Sequence, residues 1–372
     1  ANPNVTIEMV DLGSTDYMTV LATELSGSGS DFDVVTIKDV PGYATLVQKN
    51  TLESLDDYIT DAGINLADFN GITDQVTVDG SLYELPFRSD YWLIYYNKDV
   101  FDAAGIAYPS NDMTMEDYDA LARQLTDTTY GSQVYGCHYH TWRSAVELFG
   151  ILDGKHSILD GNYDWMIPYY DMILSEEDDG VCQTYTDLST EGLHYSAAFS
   201  NGNVAMMNMG SWFISTLISN LDSGEYDSSL CGNWGIASYP HPDGAEAGST
   251  IATITGLAVT SASANKDAAF DFVNWVSGTE GAKVMASTGN FPAIMTDDVI
   301  NTIAGMAGFP TDESSKEALN ITNAYLEVPY AENVSEINSI LDTYHTSIMN
   351  REVTVEEGVA SMNEQVGKIL NQ

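Results

Sequence analysis

The sequence predicts an α/β protein of two packed lobes, and three observations carry that reading. The chain has 372 residues, more than twice the ~150 usual for one domain. It is 44% apolar, which is enough to fill sizeable cores and excludes a disordered, collagenous or repeat-array chain. Strand-like alternation and helical periodicity also succeed one another along it.

Taken in order, Val5, Ile7 and Met9 alternate with polar residues and predict a half-buried strand. Tyr17, Val20, Leu21 and Leu25 recur at helical spacing, and Gly27 and Gly29 stop that helix. Phe32 to Ile37 follows as a β-rich run, so the opening reads β-α-β, with a parallel sheet and a crossover helix. Thr114 to Asp117 carries a capping signal before Tyr118, Leu121, Ala122 and Leu125, a second amphipathic helix. Ser249 to Thr260 is strand-like, and Asn265 caps a helix whose Ala269, Phe270, Val273 and Val276 share a face. Thr354 and Glu357 form a capping box ahead of the stripe Val355, Val359, Met362, Val366 and Ile369, a last helix whose ordinary meaning is core packing. There is no internal repeat and no Pro- or Ser-rich linker, so short crossings join the lobes rather than a tether.

Composition removes several function classes. With 12 basic and 55 acidic residues the net charge is −43, spread along the length, and such a surface repels phosphate backbones and acidic lipid headgroups. Nucleic acid and membrane faces are therefore not expected partners. Cys137, Cys182 and Cys231 show no CxxC pairing, which excludes a zinc finger and a disulfide-dense scaffold and leaves at most one bridge. The longest charge-free run, Ala247 to Asn265, is rich in Ser and Thr and does not suit hydrocarbon. The sequence starts at Ala1 without a basic and apolar leader, so an export signal is expected to have been removed.

The search for catalytic motifs finds no GxSxG elbow, P-loop, HExxH pair or EF-hand loop. Gly27-Ser-Gly29 follows a helix and precedes a strand, the reverse of a dinucleotide turn, and reads as a helix stop. His138 and His140 have a spacing that could serve a metal on a strand, but no acidic or Cys partner is positioned by sequence, so hydrogen-bonding or core histidines are the expectation and no cofactor or metal is assigned. Aromatics say more. Trp92, Trp142 and Trp212 stand beside carboxylate, guanidinium and amide side chains, which is what a neutral sugar requires: its C–H faces stack on a ring while planar polar groups match its hydroxyls. A single such Trp also fits a packed core or a lobe interface.

Several segments, in order, resemble the extracellular solute-binding proteins of ATP-driven carbohydrate importers: Asn2-Pro-Asn-Val-Thr-Ile-Glu8, Phe32-Asp-Val-Val35, Lys38 to Gly42, Val78 to Phe87, Leu93 to Ile106, Phe199 to Met207 leading into Gly210-Ser-Trp212, and Ser287 to Pro292. The resemblance implies a class II periplasmic-binding-protein-like fold of two α/β lobes closing about a hinge. Carried onto this chain, it implies one lobe of residues 1–95 plus 254–310 and another of 96–253 plus 311–372. Members of the family begin with a further strand and helix before the Asn-Pro-Asn-Val segment, and the first strand and helix of the N-terminal lobe are expected to be missing here.

The resemblance also implies a ligand site. Trp212 of the Gly-Ser-Trp motif is the first choice for stacking on sugar, with Trp92 as a second ring near the crossing. Asp39 is a cleft-loop carboxylate that accepts hydroxyl hydrogen bonds. Arg88 and Asp90 act as a donor and acceptor fork, or alternatively form an interlobe ion pair. His140, Trp142 and Arg143 open a helix facing the cleft, and Asn290 sits at the rim of the other lobe. The function implied is capture of a mono- or oligosaccharide between the lobes and delivery to the membrane permease of an ABC importer, by a monomer without catalysis. Its expected location is extracellular, lipid-anchored in a single-membrane bacterium, or periplasmic. The alternative from a different class is a secreted glycoside hydrolase using two of the many carboxylates, whose separation sequence alone does not give. A third is a binder of peptides, polyamines or a metal chelate.

Overall fold

The computed structural model describes residues 5–13, 16–27, 32–69, 71–127, 133–242 and 244–371. Gly29 and the Asn2-Pro-Asn stretch of the sequence reading lie outside the described residues. The fold is organised by one long strand. Strands are β1 (Val34–Ile37), β2 (Leu85–Asn97), β3 (Tyr135–His138), β4 (Val204–Gly210), β5 (Trp234–Ser238), β6 (Thr250–Val259) and β7 (Ala324–Leu326). The first half of β2 pairs antiparallel with β6, from Leu85 against Leu257 to Tyr91 against Ala252. Its second half pairs antiparallel with β4 and β5, from Trp92 against Gly210 and from Leu93 against Ser238. A single strand thus leaves one sheet and enters the other between Tyr91 and Trp92.

β2 can do this because nearly all of it is buried, on both faces. A strand covered on both sides reads as a continuous apolar run rather than an alternation, as Tyr91 to Tyr96 does. The register shifts between Pro86 and Arg88, where proline has no N–H to give to the ladder. β1 lies antiparallel on the far side of β6, β3 lies parallel to β4, and β7 lies parallel to the start of β6. Helices cover both sheets, giving the α/β, two-lobe architecture.

Most helices form where the sequence places them. The helices Tyr17–Ser26, Met115–Leu125, Lys266–Ser277 and Val355–Leu370 are all present. Both capping boxes are complete, Thr114 with Asp117 and Thr354 with Glu357. Asn265 stands at its helix start but does not cap it. Its side chain instead donates to Asp33 Oδ1 at 3.3 Å, which ties the helix to the head of β1.

The opening β-α-β unit does not form. Residues 5–13 have no regular secondary structure, and Val5, Ile7, Met9 and Val10 are exposed, Met9 by 89%. Among the described residues none pairs with this segment, and β1 pairs with β6 alone. Alternation encodes a strand only where a neighbouring strand supplies hydrogen-bond partners and a core receives the apolar face. The parallel pairing expected at this point is replaced by an antiparallel one, since the partner of β1 comes from the second half of the chain. Among the described residues no helix is long and apolar enough to cross a membrane.

Candidate functional site

A cavity of about 510 Å³ opens where the two sheets meet. Asp39 and Pro41 enter it from the start of the helix Val40–Gln48, and Trp142 and Arg143 from the start of the helix Ser144–Ile151. Thr253 of β6, Glu327 just past β7, and Asp342 and His345 from the helix Val334–Met349 complete the wall. Two helix N-termini therefore border the space, and their positive dipole ends favour ligand oxygens. At the first of them the Asp39 carboxylate already accepts from Gly42 N at 2.7 Å, so one of its oxygens is committed to capping.

The three tryptophans singled out in the sequence come together. Trp92 makes edge contacts with Trp212 at 5.5 Å and with Trp142 at 6.4 Å between ring centroids, the arrangement favoured by the aromatic quadrupole. Trp142 is 40% exposed, whereas Trp92 is 3% exposed. Trp92 therefore offers no open face and works as the plate behind the other two. Trp212 is half-buried, and its indole N–H donates to Tyr195 Oη at 3.1 Å. His140 packs edge-on against Trp142 at 4.5 Å and against Tyr195 at 5.4 Å. Burial, with His194 adding to it, lowers the His140 pKa to about 4, so its imidazole is neutral and can both donate and accept.

The Gly-Ser-Trp turn has a physical reading residue by residue. A Cβ at Gly210 would sit 2.1 Å from the Trp212 ring, so only glycine lets the indole fold back on the strand end. Ser211 Oγ donates to Asp90 Oδ1 at 2.9 Å and accepts from Tyr91 N at 3.2 Å. Arg88 Nε lies 2.6 Å from Asp90 Oδ2. Arg88 and Asp90 thus pair with each other, within β2, rather than bridging separate lobes. Burial raises the Asp90 pKa, against the pull of Arg88 and of the Ser211 hydroxyl. Asn290 donates to Thr288 Oγ1 at 3.0 Å. Its neighbour Phe291 accepts from Ser89 N at 3.2 Å, which places the loop beside the Arg88 segment.

Arg143 differs from its expected part as an open donor. It is 5% exposed and its guanidinium is filled by protein: Nε on Glu147 at 2.5 Å, Nη1 on Asp342 at 2.5 Å and Nη2 on Asn338 Oδ1 at 2.6 Å. Burial works against its charge, but Glu147 and Asp342 keep it firmly protonated. Arg143 is a clamp between two helices and shapes the cavity floor. Beside it, Ser144 hydrogen-bonds Glu327, whose pKa burial and the nearby Glu147 push to about 7.

Sequence reasoning missed Tyr195, Glu327, Asp342 and His345. For the helix of residues 334–349 a signal existed: Asn338, Asp342 and His345 fall at i, i+4 and i+7, one polar stripe on a helix otherwise patterned for a core. Tyr170 Oη and His345 Nδ1 are 3.0 Å apart, and burial lowers the His345 pKa to about 3, which keeps the ring neutral. Among the described residues His138 belongs to no group of side chains placed to hold a metal ion. It is fully buried, and burial followed by His140 lowers its pKa to about 3.

The model of the bacterial extracellular solute-binding protein family matches residues 1–283. The chain belongs to that family. Across the whole fold this solute-binding protein is similar to a sugar transporter of Rhizobium etli solved in an open conformation, with 47% identity and a TM-score of 0.90 over 98% of this chain and 92% of that one. It shares its fold with an ABC substrate-binding protein of Listeria monocytogenes solved with cycloalternan, at 22% identity and a TM-score of 0.78 over 96% of this chain and 89% of that one. Among curated relatives, the mannitol-binding protein of Pseudomonas aeruginosa is 23% identical over 294 residues, covering 77% of this chain and 65% of the relative. A putative binding protein of Brucella abortus is 26% identical, covering 55% of this chain and 50% of the relative. The chain thus spans between half and two thirds of the length of these curated relatives.

Proposed function

We propose that this solute-binding protein captures a neutral sugar, from monosaccharide to short oligosaccharide, between its two lobes and hands it unaltered to the permease of an ABC importer. The observation that carries the reading is the edge-packed set Trp92, Trp142 and Trp212 at the strand that passes between the sheets, with Asp90, Arg88 and His140 beside it. Stacked rings contribute ~1 kcal/mol each beyond area burial, and hydrogen bonds ~0.5 to 1.5 kcal/mol net. A few of each reach the roughly −8 kcal/mol of micromolar binding. The likeness to the Rhizobium etli sugar transporter supports the same ligand class.

In this reading the lobes comprise residues 1–95 plus 254–310 and 96–253 plus 311–372, and Trp212, Trp142, His140, Asp39 and Asn290 contact ligand while Trp92, Arg88, Asp90 and Arg143 hold them in place. Closure changes the outer shape that a permease reads. The protein acts as a monomer outside the cytoplasmic membrane, tethered by a lipid or free in a periplasm.

The test is a thermal-shift screen of the purified chain against hexoses, hexitols including mannitol, and gluco- and manno-oligosaccharides. A hit should raise Tm and be recovered intact. A Tm indifferent to every sugar but raised by a peptide or polyamine defeats the proposal, as does recovery of cleaved fragments.

A further inference from the structure

Away from the cavity, the described residues bring one group of thiols and a carboxylate together. Cys137, Glu176 and Cys182 are all buried, and their sulfurs and a carboxylate oxygen lie within 4.8 Å of one another. Cys137 is on β3, and Cys182 follows the helix Ile167–Asp178. The two chain segments are already hydrogen-bonded: Cys137 N donates to Val181 O at 3.3 Å. Neighbouring backbones of this kind have the spacing a disulfide needs, and rotation about the two Cα–Cβ bonds closes the remaining distance. Cys231 belongs to another place, buried on the short helix Ser228–Cys231 with its sulfur on Asp227 O at 3.7 Å.

We propose that Cys137 and Cys182 are joined by a disulfide in the extracellular setting of this family, and that Cys231 remains a thiol. The oxidant is a protein or small-molecule disulfide. One cysteine thiolate attacks it to give a mixed disulfide and a released thiol, and the second cysteine displaces the other half. The Cys137–Cys182 bond forms, the oxidant's S–S bond is reduced to two thiols, and the two cysteine protons end on those thiols. Because the finished core is closed to water, the exchange belongs to folding.

A metal held by the same three side chains fits less well. It needs two thiolates and a carboxylate in a dry interior, whereas burial pushes the Glu176 pKa up to about 8 and the Cys137 thiol up as well, and against the lowering hydrogen bond with Cys137, burial and the nearby Glu176 and Glu177 still raise Cys182. The covalent link has a consequence for the cleft. β3 runs directly into Tyr139, His140 and Trp142, so the bridge anchors the base of the segment that carries two of the proposed ligand contacts.

The experiment refolds the full chain from denaturant in an oxidised and reduced glutathione couple, then alkylates it in denaturant and maps the peptides by mass. One alkylated cysteine, Cys231, and a linked peptide pair containing Cys137 and Cys182 are expected, with a Tm that falls on reduction. Cys182→Ser should show two alkylated thiols and a Tm insensitive to reductant. Should that variant fail to fold, Cys231→Ser serves in its place, with no alkylated thiol expected. Three alkylated thiols after the oxidising refold, a linked peptide containing Cys231, or stoichiometric zinc lost together with Cys137 and Cys182 overturns the proposal.

Discussion

Ser211 Oγ donates to Asp90 Oδ1 at 2.9 Å, a hydrogen bond that fastens the Gly-Ser-Trp turn to the middle of β2 where that strand changes sheets. The turn also presents Trp212. Whatever holds Asp90 in place therefore also sets the angle at which the indole leaves the strand end.

Replacing Trp212 should separate binding from folding. Trp212→Ala is expected to leave far-ultraviolet circular dichroism unchanged and to abolish the thermal shift given by the best sugar, which at 100 times its dissociation constant is worth ~2.7 kcal/mol. A full-sized shift in the variant would take Trp212 out of the site.

Gly210→Ala tests the close approach behind it. The added methyl meets the Trp212 ring, and overpacking of this sort costs ~1 to 3 kcal/mol. Urea denaturation should show that loss together with weaker sugar binding, because the ring must move. Stability and affinity equal to wild type would mean that the turn tolerates a side chain.

Arg143→Met should be among the most destabilising single changes. It strands the buried Glu147 without its counter-charge, while Asp342 is half-exposed to water, and breaking a buried pair from one side costs ~3 to 5 kcal/mol. Changing Glu147 to Gln in the Arg143→Met background should return part of that loss in a double-mutant cycle of urea midpoints, since it removes a stranded charge. Strict additivity of the two changes would show that they are not coupled.

The pH dependence of stability follows from two opposed sets of buried groups. Burial holds Glu84 and Glu176 at about 8 and Glu327 at about 7 in the folded protein, above the ~4.3 of an unfolded glutamate. The folded state then binds more protons than the unfolded one, so stability falls as pH rises from ~4.3 towards those values. His138 and His345 are held at about 3, below the ~6.5 of an unfolded histidine. There the unfolded state binds more protons, so stability falls as pH drops below ~6.5. Together these place the maximum between ~4.3 and ~6.5, on the acid side of neutrality, and the net charge of −43 acts in the same direction at higher pH. Urea midpoints from pH 4 to 9 check this, and Glu84→Gln should flatten the alkaline limb. A maximum at pH 8 would contradict the account.

Local sequence sufficed where the chain satisfies itself. The capping boxes at Thr114 and Thr354 and the stripe from Val355 to Ile369 are complete within one helix each, so pattern alone places them. The Gly-Ser-Trp turn was legible as a motif, though its anchoring was not: the Trp212 ring folds back on Gly210 within the turn, but the Ser211–Asp90 bond joins positions 121 residues apart.

Composition and periodicity by themselves determined an acidic α/β chain, its main helices, and the tryptophans set among polar side chains, because these depend on neighbours within a turn or a strand. Only the tertiary structure decided that Val5 to Val10 lies exposed instead of in a sheet, that Trp92 is buried behind its two partner rings, and that Arg143 is clamped by protein groups at the cavity floor. It also decided that Glu327, Asp342 and His345 complete the cavity and that Cys137 faces Cys182. Those outcomes depend on which distant segment arrives to pair, bury or neutralise a group, and no local pattern carries that information.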